Sequence, residues 1–179
     1  MKISEPSCED VHRIALLFSE TFARSEGATE GALIGQLARD LLQTTNSEDI
    51  FAFMSCDEDV VTGCIMFTRL VFTPDDQTVF LLSPVAVRTD CQRRGIGQRL
   101  IFHGLTHLRL RSVDFVVTYG DPSYYSKTGF QRIDERVAQA PFPLAYPHGW
   151  LGQSLTDQPL TTLHGTSRCV PAFNNEALW

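Results

Sequence analysis

Apolar residues recur at helical spacing through the first quarter of the chain and then collect in short strand-like runs. Val11, Ile14, Ala15, Phe18 and Phe22 mark one helical stripe. Leu33, Ile34, Leu37, Leu41 and Leu42 mark a second, in a helix predicted from about Glu30 to Gln43. Ser7-Cys8-Glu9-Asp10 precedes the first stripe as a capping box, and Arg24-Ser25-Glu26-Gly27 breaks the pattern between the two. Lys2-Ile3 predicts a short opening strand. Ile50–Met54, Val60–Phe67 and Val79–Val87 then read as strands joined by polar turns at Asp57-Glu58-Asp59 and Pro74-Asp75-Asp76, an antiparallel meander. Ile96, Leu100, Ile101, Leu105 and Leu108 form one face of a third helix, and Val113–Thr118 is an apolar run suited to a central strand. Strand, helix, strand in that order implies a parallel crossover. Asp121 and Pro122 open a brief helix that stops at Gly129.

The remainder changes character. Pro141, Pro143, Pro147 and Pro159 fall in a stretch with Gly149 and Gly152, interspersed with Phe142, Tyr146 and Trp150. Linkers are seldom so aromatic, so an ordered extension is predicted over about 138–165, with a last strand near Thr166–Val170. The 179 residues fit one mixed α/β domain with its extension. A net charge of −6 argues against a general nucleic-acid binder and is compatible with a cationic partner such as an amine. No apolar run approaches the length of a membrane span, and the first six residues lack the apolar core of a signal peptide. The five cysteines form no Cys-x-x-Cys pair, which predicts reduced thiols, a cytoplasmic setting and no metal cluster. Cys91 is expected to be an inert small side chain rather than an activated thiol.

Chemistry is suggested first by residues 88–98, Arg-Thr-Asp-Cys-Gln-Arg-Arg-Gly-Ile-Gly-Gln, which join the third meander strand to the third helix. The first turn of a helix presents N–H groups without intrahelical partners and carries partial positive charge, so it suits phosphate. Gly95 and Gly97 allow close approach of the backbone, and Arg93 and Arg94 add positive charge. Neither the dinucleotide fingerprint nor the Walker A loop fits, because Leu100 replaces the third glycine and no Gly-Lys-Ser/Thr follows. Just upstream, Pro84 cannot complete a ladder inside a central strand and marks a disruption there.

Gln92-Arg93-Arg94-Gly95-Ile96-Gly97, the preceding Val85-Ala86-Val87, and Gly120-Asp121-Pro122-Ser123-Tyr124-Tyr125-Ser126-Lys127-Thr128-Gly129-Phe130 occur in order at family-like separations. Together with the element order they resemble the GNAT superfamily of acetyl-CoA-dependent N-acetyltransferases, over about residues 2–133. The resemblance implies a mixed central sheet with an antiparallel N-terminal meander, flanking helices and a splayed parallel pair at the acetyl-CoA site. It implies that Val85, Ala86 and Val87 meet the pantetheine arm. It also implies that Gln92, Arg93, Arg94, Gly95, Ile96, Gly97 and Gln98 hold the pyrophosphate. Tyr125 corresponds to the family tyrosine that acts as general acid toward the CoA sulfur.

The acceptor implied is an amine, of a small molecule or of a protein, attacking directly in a ternary complex. Glu26 and Glu30 fall where the family's first two helices meet over the acceptor, and Phe142, Tyr146 and Trp150 are candidates for an apolar acceptor wall. The general base is left open among Glu26, Glu30, His103, His107, His148 and His164. His103 and His107 stand four apart without the metalloprotease glutamate, so no metal site is expected. Three alternatives stay open: a non-catalytic acyl-CoA-binding module, a transferase for longer acyl groups, and a hydroxyl acceptor. A homodimer also stays open.

Overall fold

Gly27, at φ 100°, ends one helix and starts the next with no loop between them. A residue with a β-carbon would be strained there. Helix α1 spans Val11–Glu26 and α2 spans Ala28–Thr44, so the break predicted over four residues is confined to one. The structure is a computed structural model that describes residues 1–159 and 161–179. Asp10 fastens the start of α1 by accepting from the Ser7 N–H at 2.9 Å and the Ser7 hydroxyl at 2.8 Å. Arg13 pairs with the same carboxylate at 3.0 Å. Val11, Ile14, Ala15, Leu17 and Phe18 form the buried stripe of α1, and the two helices pack against each other.

Residues 1–67 and 84–104 form one compact unit, and residues 68–83 and 105–179 form another. In the first unit, β1 (Lys2–Ser4) pairs antiparallel with β2 (Ile50–Asp57), with Ile3 opposite Ser55. Glu58 turns at φ 52° into β3, which spans Val60–Pro74. Helix α3 spans Ile96–Leu110. It lies so close to β3 that a β-carbon on Gly104 would stand 2.3 Å from Phe67 Cε2.

In the second unit, the distal part of β3 meets β8 (Gly165–Arg168), from Val71 opposite Arg168 to Pro74 opposite Gly165. That partner explains why β3 runs past the predicted end at Phe67. β4 spans Val79–Val87, and its first residues pair parallel with β5 (Phe115–Tyr119), as the crossover rule requires. The brief helix α4 covers Pro122–Tyr125 and tightens into a 3-10 turn through Thr128 before Gly129 at φ 94°.

The Pro- and aromatic-rich segment, expected as extension and loop, carries strand β7 (Trp150–Ser154). β7 pairs antiparallel with β5, from Phe115 opposite Ser154 to Tyr119 opposite Trp150, and β6 (Gln131–Arg132) pairs on its other edge. Position 160, within the same segment, lies outside the described residues. Trp179 packs edge-on against Trp150 and Phe173, with ring centres 6.2 and 6.0 Å away, and holds the segment's C-terminal side.

The strand order is β1-β2-β3-β4-β5-β7-β6 with β8 on β3, an open mixed sheet. Among the described residues, no helix is long and apolar enough to cross a membrane.

Candidate active site

The parallel ladder between β4 and β5 runs from Val79 opposite Phe115 to Leu82 opposite Thr118. β4 itself continues five residues further, through Pro84, to Val87. At the last paired step the Thr118 hydroxyl donates to the Leu82 carbonyl at 2.8 Å, so a side chain satisfies a backbone acceptor where the ladder ends. On the other edge, the Arg88 N–H still donates to the Thr62 carbonyl at 2.9 Å. Beyond Leu82, Ser83, Val85 and Val87 are half-buried, while Pro84 and Ala86 are buried. This alternation is that of a strand with one open face.

The chain then winds into the loop before α3. Gln92 donates its side-chain amide to the Val87 carbonyl at 3.1 Å and ties the loop to the strand end. Arg93 at φ 61° and Gly95 at φ 74° both occupy the left-handed region. For Arg93 that conformation costs about 1–2 kcal/mol. Left-handed residues interspersed in a tight loop turn successive N–H groups toward one concavity, which favours an anion. Arg99 closes the turn, with its N–H donating to the Gly95 carbonyl at 3.0 Å and its guanidinium to the Arg94 carbonyl at 3.3 Å. Ile96 and Gly97 are buried, Gln98 is half-buried, and Arg93 and Arg94 are exposed.

Tyr125 belongs to the second unit and is buried. Its ring packs edge-on to Tyr124 and Phe130, with centres 5.1 and 5.9 Å away. Burial pushes its phenol well above the ordinary value, against a smaller opposing effect of a hydrogen bond with the Thr118 side chain. Asp121 caps the short helix that carries it, accepting from the Ser123 N–H at 2.8 Å.

A model of the acetyltransferase (GNAT) domain matches residues 2–133. The chain belongs to the GNAT family. As a GNAT-type N-acetyltransferase, it is 34% identical over 147 residues to the uncharacterized N-acetyltransferase YjhQ of Escherichia coli K12, covering 79% of this chain and 81% of that protein. Its fold is shared with the E. coli GNAT acetyltransferase YhbS solved in complex with CoA. The TM-score is 0.77 at 23% identity, over 97% of this chain and 92% of that one. A GNAT acetyltransferase of Brucella melitensis in complex with acetyl-CoA aligns with TM-score 0.75 at 22% identity over 97% of each chain.

The other candidate residues of this GNAT domain fall in different settings. Glu26, at the end of α1, is exposed, and its carboxyl is raised by partial burial and then by the nearby charge of Glu30. Trp150 is fully buried, and its indole N–H donates to the Ala138 carbonyl at 2.8 Å. Phe142 is half-buried against Trp179, while Tyr146 is 77% exposed. His103 packs edge-on to Phe53, and the His164 N–H donates to Asp75 at 3.0 Å. Cys91 is buried, and among the described residues no group of three or more His, Cys, Asp or Glu is placed to hold a metal ion.

Sequence reasoning passed over a cleft of about 180 Å³ lined by Glu20, Thr21, Arg24, Arg88, Thr89 and Asp90. Arg88 grips Asp90 through two bonds of 2.7 and 2.8 Å. Neither the i, i+2 spacing of that pair nor Thr118 carries a signal in the sequence, since each matters only through a folded partner.

Proposed function

We propose that this GNAT domain moves the acetyl group of acetyl-CoA to an amine by direct attack in a ternary complex. The observation that carries the reading is the end of the β4–β5 ladder at Leu82, with β4 continuing to Val87 and leading into the left-handed loop. An open strand edge from Val85 to Val87 suits the amide groups of pantetheine, which would bond to it as an added strand does. The N–H groups from Arg93 to Gln98 would take the pyrophosphate at the start of α3, with Arg93 and Arg94 supplying positive charge.

The neutral amine attacks the thioester carbonyl carbon and forms a tetrahedral oxyanion, which a strand N–H near Val85 would stabilise. The carbon–sulfur bond then breaks. Tyr125 gives its proton to the departing thiolate and is restored by the proton shed from the amine nitrogen, so the amine's proton ends on CoA. Tyr125 suits this role because a phenol is protonated across the neutral range and remains a donor, although burial, which raises it further, tightens its hold on the proton.

The test is CoA release from acetyl-CoA with a panel of amines, wild type against Tyr125→Phe. Loss of about 100-fold or more in kcat, with CoA still bound, is the expected outcome for a general acid. Full activity in Tyr125→Phe would remove that role. Tight CoA binding with no turnover on any amine would instead favour the non-catalytic binding module.

A further inference from the structure

The cleft at the end of β4 is built entirely from the first unit. One wall is the C-terminal part of α1, with Glu20, Thr21 and Arg24. The other is Arg88, Thr89 and Asp90, which lead from β4 into the loop before α3. Its volume of about 180 Å³ is below the roughly 300–1,000 Å³ of sites for drug-sized ligands, so it suits a small molecule or a head group.

The two walls differ in how their charges are used. Arg88 and Asp90 close on each other, Nε to Oδ1 at 2.7 Å and Nη2 to Oδ2 at 2.8 Å. This fork occupies both carboxylate oxygens and cancels both charges. Backbone bonds hold it in place. The Arg88 N–H donates to the Thr62 carbonyl at 2.9 Å, and the Arg88 carbonyl accepts from the Cys91 N–H at 2.8 Å. That wall is preorganised and neutral.

The α1 wall is not neutralised. Glu20 and Arg24 stand four residues apart on the exposed side of the helix, with the glutamate N-terminal, the order that favours a closed pair. Yet among the described residues neither makes a hydrogen bond or an ion pair, with the other or with any third group. Asp90 is already engaged by Arg88, so neither of these two is free to serve Arg24 or Glu20. The cleft therefore keeps one anion and one cation, about 5–6 Å apart at their β-carbons. Thr21 and Thr89 add hydroxyls that can donate or accept. A ligand with a single charge would leave one of the two ions unanswered. A ligand with ammonium and carboxylate on one carbon meets both, the ammonium donating to Glu20 and the carboxylate accepting from the Arg24 fork.

We propose that this cleft is a binding site for the zwitterionic head of a free α-amino acid, with Glu20 and Arg24 as its two contacts. Residues 88–90 fall between the two segments assigned to acetyl-CoA, Val85–Val87 and Gln92–Gln98, and belong to neither. The site stands whether or not the domain acetylates amines.

The experiment is amide NMR of the full chain titrated with L-serine, ethanolamine, 3-hydroxypropanoate and inorganic phosphate, with and without saturating CoA. Ethanolamine is L-serine without its carboxylate, and 3-hydroxypropanoate is L-serine without its ammonium. L-serine is expected to shift residues 20–24 and 88–90 together and saturably, and to bind about tenfold or more tighter than either half-molecule. Arg24→Gln brings L-serine down to the affinity of ethanolamine, Glu20→Gln brings it down to that of 3-hydroxypropanoate, and Arg24→Lys regains part of the loss. Both side chains are exposed, and thermal unfolding checks that the variants stay folded. Absence of a saturable shift at these residues overturns the proposal, as does a half-molecule that binds within about twofold of L-serine. Tighter binding of phosphate would make the cleft an anion site, and displacement of L-serine by CoA would make it part of the cofactor's own site. Either result also overturns the proposal, and neither bears on acetyl transfer to an amine.

Discussion

Replacing Gly95 separates backbone strain from packing at the loop that opens α3. A β-carbon at this position meets nothing within 4 Å, so an alanine would not clash. The cost lies in φ, which is 74° and therefore left-handed. An alanine held there loses about 1–2 kcal/mol relative to glycine. If the loop keeps its shape, the protein loses that stability, and Tm falls by about 2–8 °C for a chain of this size. If the loop relaxes instead, ligand binding must restore it, and affinity falls by roughly 5- to 30-fold. Asparagine tolerates the left-handed region better and should recover much of either loss. The assay is thermal unfolding of wild type, Gly95→Ala and Gly95→Asn, with calorimetric titration of CoA into each. An alanine variant with unchanged Tm and unchanged CoA affinity would refute the strain argument. An asparagine variant as impaired as alanine would refute the attribution to φ.

Gly104→Ala should destabilise the protein by about 1–2 kcal/mol, since overpacking against the buried ring of Phe67 costs more than alanine's gain in helix propensity; urea unfolding checks this, and an unchanged or higher midpoint contradicts it. Asp10 has its carboxyl lowered from the usual 3.8, first by the Ser7 N–H. Its contribution is therefore full above that ordinary value and lost as pH falls through the lower folded-state value. Asp10→Asn should cost about 1 kcal/mol at pH 7 and little near pH 2, and an equal cost at both would exclude the carboxylate as the cause.

The helical hairpin, the meander and the crossover were legible because each depends on local periodicity. Val11, Ile14 and Phe18 repeat at the spacing of a helix regardless of what they pack against. β7 was not legible. Trp150, Leu151 and Gly152 are buried in succession, so no alternation marks them, and flanking Pro147 and Gly149 read as loop. Only the register against Phe115–Tyr119 makes them a strand. The second half of β3 was hidden for the same reason, because its β8 partner lies more than ninety residues downstream. Among candidate site residues, Gly95 and Tyr125 stood in recognisable motifs. Thr118 and the Arg88–Asp90 pair did not, since each depends on a folded partner.

By itself, the sequence determined the family, the order of elements through α4 and the glycine-bearing loop that opens α3. These are encoded in short-range spacing, where the chain's own geometry limits the outcomes. Tertiary structure decided where the parallel ladder stops, which aromatic of the C-terminal segment faces solvent and which are buried. Those outcomes depend on contacts between residues far apart in the chain. Trp150 and Tyr146 are equally aromatic and four residues apart. Only folding puts one in the core, bonded to Ala138, and leaves the other exposed and held by Tyr119.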